Sequence, residues 1–271
     1  MTETSVQALR NAAAQLRIDS VRSTTEAASG HPTSCLSAAD IVATLFFGEM
    51  RYDPKAPQNP DNDRFVLSKG HAAPILYAAW AEAGLFPRED LLKLRRIESD
   101  LEGHPTPRLP FVDVATGSLG QGICAAIGIA LNARRIGSDY RTYVVLGDGE
   151  SQEGQIWEAA MFAPFHKLDN IVVIIDYNKI QLDGFVKDIM DLEPLVQKWQ
   201  AFGWHTLDVD GHSIPSLQNA FAEAAATKGK PTCIIAQTVK GKGVSFMENN
   251  PKFHGVAPTE DELQRALQEI G

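Results

Sequence analysis

Two hydrophobic rhythms alternate along the chain. Apolar residues recur at three- and four-residue spacing over roughly Val6 to Ala28, Ala38 to Phe47, Ala72 to Ala83, Gly120 to Ile136, Gln155 to His166 and Ser216 to Lys228. That repeat gives a helix one apolar face. Between these segments lie short β-branched runs at Arg64 to Leu67, Thr142 to Leu146, Ile171 to Asp176, Thr206 to Val209 and Thr232 to Thr238. The runs YVVL (Tyr143 to Leu146) and IVVII (Ile171 to Ile175) show no polar alternation, which suits strands covered on both faces. Alternation of such strands with helices predicts an α/β fold, a mainly parallel twisted sheet flanked by helices. Ligands of such sheets bind beyond the carboxyl ends of the strands, so the loops after Leu146, Asp176 and Thr238 are the first candidates for chemistry.

Two of those loops read GDGESQEG (Gly147 to Gly154) and DYNKIQLDG (Asp176 to Gly184). Glycines on both sides of Asp148 let backbone N–H groups approach a phosphate. A helix starting near Gln152 would point its positive end into the same cleft. Asn178 follows Asp148 by thirty positions and brings an amide oxygen to the end of a second apolar strand. A carboxylate, an amide oxygen and a backbone carbonyl make half of an octahedral oxygen shell, leaving room for diphosphate oxygens and water around magnesium. GDG by itself is a common strand-to-helix turn. Its pairing with Asn178 is what favours the metal site.

Composition narrows the options. With 44% hydrophobic residues among 271, the chain can bury a full core. A formal net charge of -9 argues against nucleic acid or anionic membranes as general partners. The three cysteines are scattered and unpaired in sequence, so neither a disulfide framework nor a zinc site is expected, and a reducing cytoplasm is. The N-terminal stretch has no signal-peptide character, and Ile171 to Ile175 is the longest aliphatic run, far too short to span a membrane.

Four of the seven histidines sit in Gly- or Pro-marked loops: SGHPTS (His31), SKGH (His71), EGHPTP (His104) and KFHG (His254). One loop histidine is ordinary. Four invite a joint explanation, because imidazoles both bind sugar hydroxyls and move protons near neutral pH. His166 and His205 read as unremarkable helix and strand positions, and His212, in a DGHS turn, is given no chemistry.

The GDG…Asn arrangement resembles thiamine-diphosphate enzymes, in which GDG is followed about thirty residues later by Asn-Asn; here the pair is Asn178-Lys179. SGHPTS, DRFVLSKGHAAP, GHP, DVATGSLGQG, GDGESQEGQIWEA, KGKG and FHG then follow one another in the order of the transketolase family, over essentially the whole chain. The resemblance implies thiamine diphosphate and magnesium as cofactors, with the metal on Asp148, Asn178 and the carbonyl of Ile180. It implies that His31 and Ser34 line the cofactor and sugar-phosphate site. His71 would lie near the diphosphate and the donor sugar, and His104 on substrate hydroxyls. Gly117, Ser118 and Leu119 match the loop that holds the cofactor bent, and Gly149 matches a diphosphate-contacting backbone. Lys240 and His254 match residues near the phosphates and substrate. Glu153 matches an interface position coupled to a partner carboxylate, although a solvated glutamate at a helix start fits equally well.

By the same resemblance, residues 1–271 form a single diphosphate- and metal-binding domain, the N-terminal part of a transketolase. The glutamate that switches on the cofactor is expected on a separate pyrimidine-binding domain. The tail PTEDELQRALQEIG reads as a finished helix, so a natural split is expected, with a C-terminal transketolase subunit as partner in an α2β2 assembly. The expected reaction is transfer of a two-carbon ketol unit from a ketose phosphate to an aldose. The α subunit of a 2-oxo-acid dehydrogenase also carries GDG, but SGHPTS and SKGH weigh against it. A non-catalytic cofactor-binding module would not need the intact set of histidines and metal ligands.

Overall fold

A computed structural model describes residues 4–271; Met1 to Glu3, which the expected single domain includes, lie outside the described residues. Along the chain come α1 (Val6–Glu26), α2 (Pro32–Thr44), β1 (Arg64–Leu67), α3 (Ala73–Glu82), α4 (Gln121–Ile136), β2 (Thr142–Gly147), α5 (Gly154–Phe165) and β3 (Ile171–Tyr177). A small hairpin, β4 (Ile180–Gln181) and β5 (Gly184–Phe185), precedes α6 (Val186–Ile189), α7 (Leu195–Ala201), β6 (His205–Asp210), α8 (Ile214–Ala226), β7 (Thr232–Gln237) and α9 (Glu260–Ile270).

Five strands form one sheet in the order β1-β2-β3-β7-β6, and every pairing is parallel. The lack of polar alternation in β2 and β3 has its cause here: both strands are buried along their whole length. Tyr143, Val145 and Ile174 point to one face, where they pack with Leu16 of α1, Ile41 of α2, Tyr77 of α3 and Phe221 of α8. Val144, Leu146, Val173 and Ile175 point to the other, against Ile127 of α4, Ile156 of α5 and Trp199 of α7. Each such side chain contributes about 1.5–3 kcal/mol by leaving water. This double cover lets the central strands end in charged residues held away from solvent. A third cluster joins α9 to α1 and to Val244 and Met247, so the C-terminal helix braces the segment after β7.

Helix boundaries depart from expectation in one place that matters. The helix expected from Ala38 begins at Pro32, with proline in its first turn, so Ser34 sits on a helix and not in a loop. All thirteen residues of α2 are buried, so no polar face exists to mark the helix by period. The helix expected near Gln152 begins at Gly154, after a single 3-10 turn over Gly149–Gln152. The tail does form a helix, α9, closed at its start by a capping box between Thr259 and Glu262. Among the described residues no helix is long and apolar enough to cross a membrane, and the three cysteines are free.

Candidate active site

The parallel sheet delivers its loops to one edge. Ser68 to His71 follow β1, Asp148 and Gly149 follow β2, Asn178 follows β3, and Thr238 to Lys240 follow β7. Together with the first turn of α2 they enclose a cavity of about 370 Å3. Every residue predicted for the site lines this cavity except Ser118, which is exposed on the loop beside it. Residues as distant in sequence as His31 and His254 thus share one wall: their rings are 5.5 Å apart.

At the floor of the cavity lies a buried ion pair between Lys69 and Asp176. Asp176 also accepts from Ser37 Oγ at 2.6 Å, from Thr238 Oγ1, and from Asn178 Nδ2 at 3.1 Å. Burial alone would raise the Asp176 carboxyl, but the Lys69 ammonium and these donors outweigh it and hold it below the ordinary range. The bond from Asn178 Nδ2 also fixes the amide, and its oxygen, which accepts from the backbone N–H of Ile180 at 3.2 Å, keeps a second lone pair for a ligand.

Asp148 differs. Its carboxylate is buried, accepts from the backbone of Gly149 at 2.7 Å and of Lys179, and forms no salt bridge with any side chain among the described residues. Burial pushes it up to about 6, against the attraction of Lys240. A buried carboxylate without a cation is costly, and this one stands beside the amide of Asn178 and the backbone of Ile180. Among the described residues no group of three or more His, Cys, Asp or Glu side chains could hold a metal. The donors at hand are hard oxygens, a set that fits magnesium and not zinc.

Three imidazoles line the upper wall. Ring centroids of His31 and His71 are 4.9 Å apart, and those of His71 and His254 are 5.9 Å apart. Burial, with Lys240 adding to it, lowers His31 to about 4 and His254 to about 3, and pushes His71 well below its ordinary value. All three are therefore neutral near pH 7. The Nδ1 atoms of His31 and His254 are buried with no protein partner, so they remain available to a ligand. His104 stands exposed at the mouth, lowered by partial burial and by Arg95. Lys240 is buried and donates to Ser34 Oγ at 2.8 Å. Burial and the nearby Lys69 bring it down to about 8.

Two glycines are required by space. A Cβ on Gly149 would lie 2.8 Å from the Cβ of Gln181, and one on Gly117, whose φ is +140°, would lie 2.9 Å from the His104 ring.

Three charged residues of the site were not singled out from the sequence: Lys69, Asp176 and Glu150. Glu150 accepts from Ser68 Oγ, from Gly120 N at 3.0 Å and from Gly147 N at 3.0 Å, clamping the ends of β1 and β2 to the start of α4. The signal for Lys69 and Asp176 is a charge at the end of an apolar strand, as in RFVLSK and IVVIID. His166 and His205 lie away from the cavity, His205 bonded to Glu223 at 2.8 Å.

Comparison with known proteins agrees with this geometry. The family described as "Transketolase, thiamine diphosphate binding domain" matches residues 7–271. The chain is 51% identical to the transketolase of Mus musculus over 266 residues, covering 98% of this chain and 42% of that protein. It is 45% identical over 242 residues to the 6-deoxy-6-sulfo-D-fructose transketolase subunit SqwG of Clostridium sp. (strain MSTE9), covering 89% of this chain and 88% of that one. The crystal structure of transketolase from Campylobacter jejuni subsp. jejuni NCTC 11168 superposes with a TM-score of 0.93 at 34% identity, over 99% of this chain and 43% of that chain. The fold and the cavity define a thiamine-diphosphate-binding domain. The chain belongs to the transketolase family. It spans about two-fifths of the length of the mouse transketolase it matches.

Proposed function

We propose that residues 1–271 are the single diphosphate- and magnesium-holding domain of a transketolase that works in a reducing cytoplasm together with a second chain. The observation that carries this reading is the meeting, in one cavity, of a buried Asp148 with no cationic partner and three neutral imidazoles, two of them with an unpartnered ring nitrogen.

Thiamine diphosphate, when bound, supplies the electron sink for breaking the carbon–carbon bond beside a ketose carbonyl. The chain's own residues account for binding and protonation. Asp148, Asn178 and the Ile180 carbonyl would hold magnesium, and Gly149 lets the backbone approach the diphosphate. Lys240 places a cation near those phosphates, with Ser34 fixing its direction. Gly117, Ser118 and Leu119 form the loop against which the organic part of the cofactor would rest. His31, His71 and His254 are neutral, so each ring can accept a proton at one nitrogen and donate from the other while bonded to a sugar hydroxyl. His104, at the mouth, would meet the substrate first.

A partner chain is supported by two observations. SqwG, a named transketolase subunit, is matched over 88% of its length. The rim of the cavity and the neighbouring helix α5 also leave large apolar side chains in solvent, with Leu182 69% and Phe165 81% exposed. Such side chains fit an interface, and Glu153 lies on the same rim. The partner would carry the pyrimidine-binding and C-terminal domains in an α2β2 assembly, with a ketose phosphate as donor and an aldose as acceptor.

The test is ketol transfer from xylulose 5-phosphate, with cofactor and magnesium, by the chain alone and with its partner. Transfer only by the pair is expected. Full turnover by the chain alone refutes partner dependence, and turnover of pyruvate in place of the ketose refutes the class. A sulfonated ketose belongs in the same assay, given the name of SqwG.

A further inference from the structure

His212 follows β6, lies outside the cavity, and is bonded at both ring nitrogens. Its Nε2 accepts from the backbone N–H of Val239 at 2.9 Å. A backbone N–H can only donate, so the ring proton resides on Nδ1, which donates to Asp40 Oδ2 at 2.8 Å. Asp40, on α2, is gripped at both oxygens by Arg17 of α1, whose Nε also donates to Leu36 O at 3.3 Å. Burial would raise the Asp40 carboxyl, yet His212 and Arg17 together keep it below its ordinary value, so this anchor stays charged.

Val239 directly precedes Lys240. On the far side of that lysine, Gly241 N donates to Thr33 O at 3.1 Å, and the Lys240 ammonium itself reaches Ser34. The segment Val239 to Gly241 is therefore pinned at two points to the same helix: to Asp40 through His212, and to the first turn directly. The pinning opposes a real force. Lys240 is only 2% exposed and shares its surroundings with the Lys69 ammonium, so desolvation and like-charge repulsion both favour its swinging out to water.

We propose that His212 is a positioning residue that, through the Val239 amide, holds Lys240 inside the cavity and thereby sets the affinity for the diphosphate end of thiamine diphosphate. This rests on the reading above that Lys240 serves the cofactor phosphates.

The test is a double-mutant cycle on the full chain, titrating thiamine diphosphate with saturating magnesium in a calorimeter. Loss of one buried hydrogen bond that orders a charged side chain is expected to weaken binding by roughly 3- to 10-fold in His212→Ala, with a loss of about 10-fold or more in Lys240→Ala. In the Lys240→Ala background, His212→Ala is expected to cost nothing further. His212→Gln, whose amide can accept from Val239 and donate to Asp40, is expected to bind within about 2-fold of the parent. His212→Asn, polar but too short to reach both, replaces the alanine variant if that chain does not fold, and is expected to weaken binding as alanine would. Unchanged affinity in His212→Ala overturns the proposal. So does an equal, additive loss in the Lys240→Ala background, which marks a merely structural histidine. An unaltered affinity in Lys240→Ala alone removes the underlying role of Lys240, and is recognised because that single variant is then silent.

Discussion

The two edges of the sheet differ in how their charges are satisfied. Beyond the amino ends of the strands lies a cavity of about 520 Å3, larger than the 370 Å3 at the carboxyl ends. It is lined by four basic residues, yet these are spent locally. Arg51 pairs with Asp63 and Asp139, Arg134 pairs with Asp169, and Arg141 and Lys228 donate to the carbonyl of Ala225 at the end of α8. Among the buried nitrogens of those groups, the Arg141 Nη1 alone has no hydrogen-bond partner. At the carboxyl edge the reverse holds. Asp148 is buried without a cation, Lys240 is bonded only to a hydroxyl, and two imidazole nitrogens face nothing. Size does not mark the site; unpaid desolvation does, because groups left in that state need a ligand to be stable.

The largest expected effect comes from the centre of that contrast. Asp148→Ala removes the one charged ligand proposed for magnesium, and magnesium-dependent binding of thiamine diphosphate is expected to fall by more than about 100-fold, read by calorimetry. Unchanged affinity would place the metal elsewhere. Next comes Lys69→Met, which leaves Asp176 buried and unpaired. Removing one member of a buried pair costs about 3–5 kcal/mol, so a clear drop in denaturant midpoint is expected.

A smaller effect appears with pH. His31 and His254 are lowered from 6.5 to about 4 and about 3 on folding. Below about 6.5 the unfolded chain takes up protons that the folded chain refuses, so their contribution is complete above that pH and is lost as the pH falls toward their folded values. Between pH 7 and 5, His254→Gln is expected to lose less stability than the parent in paired denaturant titrations. A parallel pair of curves would mean that His254 is not held neutral. The smallest effect belongs to the amino edge: Arg134→Ala opens a half-exposed ion pair and is expected to cost under about 1 kcal/mol and to leave cofactor affinity unaltered. A loss of affinity there would erase the distinction between the edges.

The strands were legible because their composition follows from double cover: β1 matches its expected bounds, and β2, β3, β6 and β7 match to within one residue at each end. The cavity residues were legible where a loop motif carries them, since GDG, SGHP and SKGH keep their chemistry within a few positions. The start of α2 was not, because a helix buried on all sides shows no period. Asp176 and Lys69 were missed for a related reason. A charge at the end of an apolar strand reads as the place where the strand meets water, and only the sheet order β1-β2-β3, which brings Lys69 to Asp176 across the end of β2, reveals that both residues stay dry. The role of His212 is not legible in the sequence, because its partners, the Asp40 carboxylate and the Val239 backbone N–H, are remote along the chain.

The cofactor's metal is expected at the carboxyl edge, and histidines at the two edges report on it. Mn2+ occupies oxygen sites that suit Mg2+, and its unpaired electrons broaden nearby proton resonances. With thiamine diphosphate and Mn2+ added to the chain, the imidazole signals of His31, His71 and His254 are expected to broaden, while those of His166 and His205 at the amino edge stay sharp. Broadening of His166 and His205, with the carboxyl-edge trio unaffected, would place the metal at the amino edge instead.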